Sequence, residues 1–265
     1  MKALLGDYPV TKAFKAESSL DFADVKVPNT AFKRVVRDLE FDVAELALMT
    51  FLLAKAHGKP YRLLPAVVTA RFQHPLLVGT IDLQPKDLEG KRVGQRSYSV
   101  TTATWLRGIL ADDYGVDLDQ VRWVTFEEPH VAEFRDPPGA VRAPAGKDMI
   151  AMLLAGELEA VIVGELPKDE RLKPVIADPS AAAEAWRQKY GAIQINHMVA
   201  VKDSVSRQDA EMIFRLLQKS KEAAGNPEMN PFGIEENRRN LEVAIDCTYR
   251  QRMIPRRFAV EELFQ

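Results

Sequence analysis

The chain contains one cysteine, Cys247, in 265 residues, which rules out an internal disulfide. Between Asp246 and Thr248 it reads as a small buried apolar residue rather than an activated thiol. No run approaches the roughly 20 apolar residues of a membrane-spanning helix. The opening MKALLGDYPV has only Ala3, Leu4 and Leu5 before Gly6 and Asp7. That is too short for the apolar core of a secretory signal, so a cytoplasmic location is expected. Charge of one sign is not in excess: 36 basic against 38 acidic residues leave a net charge of −2. Nucleic acid, which needs a concentrated basic surface, is not an expected partner, and neither is a membrane. There is no G-x-G-x-x-G, no Walker loop, no G-x-S-x-G elbow and no His/Cys/Glu spacing of a zinc motif. The expectation is therefore no cofactor and no metal.

What is present is an alternation of strands and helices. Strands are expected over 2–8, 20–28, 61–68, 75–83, 91–95, 121–126, 158–165 and 192–202. Helices are expected from Asn29 or Thr30 to about 40, and over 43–57, 101–112, 146–157, 179–191, 206–225 and 234–253. In the helix from Ser206, residues Ala210, Ile213, Phe214, Leu216 and Leu217 form an apolar stripe behind a serine cap. Such alternation implies parallel sheets in an α/β protein. The proline-rich stretch 127–145 is expected to be a loop.

One turn stands out chemically. After the basic strand 91–95 the chain reads Arg96-Ser97-Tyr98-Ser99-Val100-Thr101-Thr102 and enters a helix. A helix start offers unpaired N–H groups and a partial positive charge, which suit an anion. Ser99 can cap the helix, leaving Ser97, Thr101 and Thr102 as further donors, and the Arg96 fork suits a carboxylate. The turn is thus built like a carboxylate or phosphate seat; the plainer reading is that its hydroxyls only cap a helix. Among the four histidines, His57 reads as a solvated helix end and His130 as surface. His74, three residues after Arg71, reads as functional. His197, between apolar neighbours, is open between a core and a functional role.

Several stretches, in order over most of the chain, carry a resemblance: GDY (6–8), LEFDVAELALMTFLLAK (39–55), FQHP (72–75), DLEGKRVGQRSYSVTTATWLRGILADDYGVD (87–117), NHMVAVKDSV (196–205), NPFGIEENRRNLE (230–242) and PRRFAVEELF (255–264). Together they resemble the 4,5-dihydroxyphthalate decarboxylase family. The resemblance implies a two-lobed type II periplasmic-binding-protein-like fold. Each lobe would be a mixed, mainly parallel sheet flanked by helices, with a ligand cleft between the lobes. Residues 1–84 and 198–265 would form one lobe and 85–197 the other.

The same resemblance implies loss of CO2 from an aromatic dicarboxylate to give protocatechuate. His74 would be the first choice of proton carrier and His197 the second. Arg71, Arg96 and the turn Ser97, Tyr98, Ser99, Thr101 and Thr102 would clamp a retained carboxylate. Asp7, Tyr8 and Glu45 would line the other lobe, although Glu45 also reads as a solvated helix residue. The family usually has Pro-Glu-Tyr-Gln where this chain has Arg96-Ser97-Tyr98-Ser99, and Ser-Arg-Ala-Phe-Arg-His where it has TARFQH (69–74). A lost acid and a gained arginine imply a more anionic or differently shaped substrate. Two other readings stay open: a solute-binding protein holding a small anion unchanged, and a biosynthetic enzyme on the same fold. The expected partner is a small anionic aromatic carboxylate, and assembly into a homo-oligomer stays open.

Overall fold

A computed structural model describes residues 1–265. Along the chain run β1 (Lys2–Leu4), α1 (Pro9–Glu17), β2 (Asp21–Phe22), α2 (Phe32–Val36), β3 (Val43–Ala47), α3 (Leu48–Ala56), β4 (Tyr61–Ala70) and β5 (Leu77–Gly79). They are followed by β6 (Arg92–Gln95), α4 (Thr101–Tyr114), β7 (Arg122–Thr125), β8 (Val141–Arg142), α5 (Met149–Leu154), β9 (Ala160–Ile162) and β10 (Lys173–Pro174). The last elements are α6 (Pro179–Tyr190), β11 (Ile195–Lys202), α7 (Arg207–Ala223) and α8 (Ile234–Arg250).

The chain divides into two compact units, one of Met1–Arg71 with Ala192–Gln265 and one of Phe72–Gly191. The divisions fall at 71/72 and 191/192, where the sequence reading puts them at 84/85 and 197/198. The physical reason lies in two strands. β5 pairs with β9 and so belongs to the second sheet, while Ile195 and His197 of β11 pair with β4 in the first.

The first unit is built on a sheet of order β2-β1-β3-β11-β4. β1 runs parallel to both its neighbours, and β11 runs antiparallel to β3 and β4. Its core joins Val43, Val199 and Val201 of the central strands to Val10 and Phe14 of α1 and to Ile213 and Leu217 of α7. The apolar stripe read in α7 is what it buries, and Ser206 caps it by accepting from the Asp209 N–H at 3.0 Å. Cys247 is buried on α8, as expected for a small apolar residue.

The largest departure from the sequence reading is at 43–57. A helix is expected there throughout, but 43–47 is a strand and only 48–56 is helical. Every residue of that strand is buried, because β1 and β11 flank it and helices cover it. A strand buried on both faces loses its alternation and reads as continuous apolar sequence, indistinguishable by period from a buried helix. The strand expected over 20–28 shrinks to Asp21–Phe22, and a 3-10 turn at Pro28–Ala31 precedes the short α2.

The second unit carries a sheet of order β10-β5-β9-β6-β7-β8, with β9, β6, β7 and β8 parallel. Trp105, Leu106, Ile109 and Leu110 of α4 are buried in this unit's core, and Gly115 ends the helix in the left-handed conformation. Residues 127–145 are irregular apart from β8. Gly94 in β6 has no room for a side chain. A Cβ there would lie 2.8 Å from Leu158 Cδ1, 3.0 Å from Val161 Cγ1 and 3.2 Å from Met149 Cγ. Gly94→Ala is therefore expected to lower stability by about 1–3 kcal/mol through overpacking. Urea unfolding measures this, and an unchanged midpoint would contradict the packing described.

Candidate active site

In the first unit the strand termini gather a polar cluster around one buried carboxylate. Glu45, in the middle of β3, is fully buried. Its Oε2 accepts the Gly6 backbone N–H at 2.6 Å, and its Oε1 accepts the Tyr8 hydroxyl at 2.7 Å. His197 Nδ1 lies 2.7 Å from the same Oε1. The β3–β11 register explains the last contact: Glu45 pairs with Val199, which puts His197 two residues along β11 on the same face. Gly6 is needed where it stands. A Cβ on it would fall 2.6 Å from Tyr8 Cζ and 2.7 Å from the phenol oxygen, so only glycine lets the tyrosine fold back onto Glu45.

A carboxylate only accepts, so His197 carries its proton on Nδ1, and Nε2 is the nitrogen left to exchange one. The His197 ring is half-buried and meets the edge of Phe32, with ring centres 5.2 Å apart. Burial first, and then the Glu45 charge, pushes the Tyr8 phenol far above its ordinary range, so it remains a donor. Glu45 is thus neither helical nor solvated, as one sequence reading had it. Asp7 stays outside the cluster: its side chain is 88% exposed and pairs with Lys15 Nζ at 2.5 Å.

The second unit holds the remaining predicted residues, apart from Arg71, an exposed residue at the end of the first segment of unit one. Ser97 and Ser99 are buried, with their hydroxyl oxygens 3.4 Å apart. Neither is the cap residue of α4; Val100 occupies the cap position and has no side-chain cap bond to offer. Ser99 as the cap is therefore corrected: the turn directs its hydroxyl at Ser97 instead. Thr101 is buried and Thr102 half-buried in the first turn. Arg96 is half-buried and lies 3.8 Å from Glu127, so its charge is partly answered within the chain.

Tyr98 serves packing. The Arg107 guanidinium lies over its ring at 3.8 Å and the Trp123 ring meets it edge-on at 6.5 Å. Arg107 is a residue that sequence reasoning missed. It is fully buried on α4 and donates to Gln95 Oε1 at 2.7 Å and to the Tyr98 carbonyl at 2.8 Å, fastening the turn to the helix. An arginine amid apolar helix residues, Leu106 and Ile109, was the available signal.

His74 is 1% exposed, and its Nδ1 has no hydrogen-bond partner. Burial pulls its pKa down to about 4, against the weaker opposing charge of Asp113, so it is neutral at pH 7. His130, read as surface, is buried at 4% exposure. His57 is exposed at the end of α3, as expected. No three His, Cys, Asp or Glu side chains converge to hold a metal ion, and no helix is long and apolar enough to cross a membrane.

No protein-family model matches the chain. Among curated proteins it is 29% identical over 197 residues to the 4,5-dihydroxyphthalate decarboxylase of Comamonas testosteroni, covering 68% of this chain and 60% of that protein. It is 30% identical over 175 residues to the 4,5-dihydroxyphthalate decarboxylase of Pseudomonas putida, covering 60% of this chain and 68% of that protein. The chain belongs to the 4,5-dihydroxyphthalate decarboxylase family. Its match spans less than two thirds of the length of the Comamonas relative.

In fold this member of the 4,5-dihydroxyphthalate decarboxylase family is similar to solute-binding proteins. The periplasmic aliphatic sulphonate binding protein SsuA of Escherichia coli gives a TM-score of 0.58 at 11% identity, over 100% of this chain and 96% of that one. Protein AF1704 of Archaeoglobus fulgidus gives 0.54 at 18% identity, over 95% and 84%. At such identities the likeness is one of fold: two α/β units with mixed sheets flanked by helices, the fold class read from the sequence.

Two outcomes test this geometry. Glu45→Ala strands the Gly6 N–H, the Tyr8 hydroxyl and the His197 ring in a buried place, so it is expected to cost about 3–5 kcal/mol. Tyr8→Phe removes one bond to a charged group and is expected to cost about 1.5–3 kcal/mol. Equal losses in urea unfolding would contradict the cluster. For His74, the folded pKa of about 4 lies below the ordinary 6.5, so the unfolded chain binds more protons between those values. Its contribution to stability, about 3 kcal/mol at most, is full above pH 6.5 and is lost as pH falls toward 4. His74→Asn is expected to flatten that part of a stability–pH curve; an unaltered slope would show that His74 is not buried neutral.

Proposed function

We propose that this chain is a decarboxylase acting on an aromatic dicarboxylate of the 4,5-dihydroxyphthalate type, with His197 as the proton carrier. One observation carries the assignment: a fully buried Glu45 carboxylate holds His197 Nδ1 at 2.7 Å, in a chain whose curated relatives bear that activity in their names. A cytoplasmic location goes with this reading.

The chemistry follows from what decarboxylation beside a phenol requires. In 4,5-dihydroxyphthalate each carboxylate stands para to a hydroxyl. Ionising that hydroxyl pushes electron density to the ring carbon bearing the carboxylate. A proton delivered to that carbon gives a dearomatised intermediate. Its C–C bond then breaks, the electron pair returns to the ring, and CO2 leaves. One proton enters and one CO2 departs, giving protocatechuate. His197 suits the delivery because Glu45 holds its Nδ1 at 2.7 Å and so orients the ring with Nε2 left to exchange a proton. The Gly6 N–H and the Tyr8 hydroxyl donate to the same carboxylate and hold it in place. This inverts the order of the two histidines expected from sequence. His74, whose pKa burial lowers to about 4, offers a neutral ring nitrogen at pH 7, suited to hydrogen-bonding a substrate oxygen rather than to donating a proton. Within the second unit, Arg96, Ser97, Thr101 and Thr102 are proposed to seat a carboxylate. Arg96 is the strongest of these, as a half-buried cation beside the start of α4.

The fold likeness to SsuA favours a second reading, a protein that holds a small anion without changing it. Purified protein incubated with 4,5-dihydroxyphthalate separates the two. Release of CO2 with accumulation of protocatechuate supports the enzyme, whereas binding without turnover supports the solute-binding reading. If the enzyme reading holds, His197→Gln is expected to lower kcat by about 10²–10⁴ with little change in KM. A kcat within a few-fold of the parent would remove His197 from the proton transfer.

A further inference from the structure

His197 stands on β11 between two ladders that differ. Toward β3 the pairing is unbroken, with Met198 opposite Leu46 and His197 opposite Ala47. Toward β4 it slips at the same step: Met198 stands opposite Val67, but His197 stands opposite Thr69. Two residues of β4, Val68 and Thr69, therefore answer one of β11, which makes a β-bulge. A bulge bends its strand, raises the local twist and re-aims the side chains beside it.

A bulge interrupts the regular ladder, so other bonds must hold it. The Thr69 hydroxyl does not contribute: it is buried and makes no hydrogen bond. The Asn230 side chain does. Its Nδ2 donates to the Val67 carbonyl at 3.0 Å and to the Val68 carbonyl at 2.9 Å, one amide hydrogen for each.

Those two bonds have a geometric consequence. β4 is the last strand of its sheet, and residues 230–233 run along its outer edge. The Gly233 N–H donates to the Pro65 carbonyl at 2.8 Å, the Val67 N–H donates to the Pro231 carbonyl at 3.4 Å, and Ala66 bridges Phe232. In a regular strand the N–H and C=O of one residue face one edge and those of the next residue face the other. Pro65 and Val67 obey this and face outward. The Val68 carbonyl ought then to face β11, yet it meets Asn230 on the outer edge. Asn230 thus keeps a carbonyl turned away from the strand that carries His197.

We infer that Asn230 is a positioning residue for His197, holding the β4 bulge that sets how β11 presents the imidazole. Glu45 fixes the ring from the β3 side, at Nδ1, and Asn230 fixes the strand beneath it from the β4 side. The inference rests on the decarboxylase reading for the proton transfer, and on the hydrogen bonds alone for the bulge.

Two readouts test it on Asn230→Ala, which removes both donors, and on Asn230→Ser, which keeps one. The first is the nuclear magnetic resonance spectrum of protein labelled with ¹⁵N in its histidine rings, with His197 assigned by its loss in His197→Gln. Asn230→Ala is expected to shift the His197 ring signals and to leave those of His57, exposed at the end of α3, in place. The second is turnover of 4,5-dihydroxyphthalate by the folded variant. Asn230→Ala is expected to lower kcat by roughly 10–10²-fold with KM within about twofold, because misplacing a proton carrier costs rate rather than binding. Asn230→Ser is expected to fall between parent and Asn230→Ala in both readouts, and it serves alone should Asn230→Ala not fold. A variant that loses stability to urea but keeps the parent's ring signals and kcat overturns the inference, as does a shifted ring with unchanged kcat. A parent without turnover overturns the decarboxylase reading instead; unmoved His197 signals would then overturn the hold on the ring as well, and shifted ones would support it.

Discussion

A carboxylate that no water reaches constrains the first unit more than any other group in it. Taking Glu45 out of solvent is costly unless each of its oxygens finds donors. The chain meets that demand from three separate places: a backbone N–H just past β1, a tyrosine folded over a glycine, and a histidine on the antiparallel strand β11. The demand dictates local sequence. Gly6 can only be glycine, Tyr8 must stand two residues on, and His197 must lie on the face of β11 that Glu45 occupies on β3. The same arrangement that keeps a buried charge tolerable also fixes the tautomer and orientation of the imidazole.

The second unit solves the opposite problem, a buried cation. Arg107 carries its charge inside α4 and distributes it over the Gln95 amide oxygen, the Tyr98 carbonyl and the face of the Tyr98 ring. Because these partners belong to the end of β6 and to the turn after it, the arginine makes strand, turn and helix one piece. The turn was read as a seat for an anion on the strength of its hydroxyls. Its rigidity comes from a residue six positions into the helix behind it.

The sequence was legible where periodicity was clean. The stripe of α7, the cap at Ser206, the helix after the hydroxyl turn and the alternation of strands and helices were all visible. It was ambiguous where burial is complete. Val43–Ala47 read as helix because a strand covered on both faces has no polar face to betray its period, and with that misreading Glu45 looked like a solvated residue. His130 read as surface because prolines surround it, although its ring is buried. Family resemblance brought Glu45 and Tyr8 onto the page, separate from a His197 already left open by its neighbours. It did not show that Glu45 and His197 meet, because that contact joins residues 152 positions apart.

By itself, then, the sequence determined the α/β class, the helix stripes and caps, and the family to which the chain belongs, since these are written in local patterns a few residues long. Tertiary structure decided which polar residues meet. The pairing of Glu45 with His197, the isolation of His74, and the β4 bulge that Asn230 holds all arise from strand register and burial. Those depend on contacts between distant segments, whose energies no local window of sequence contains.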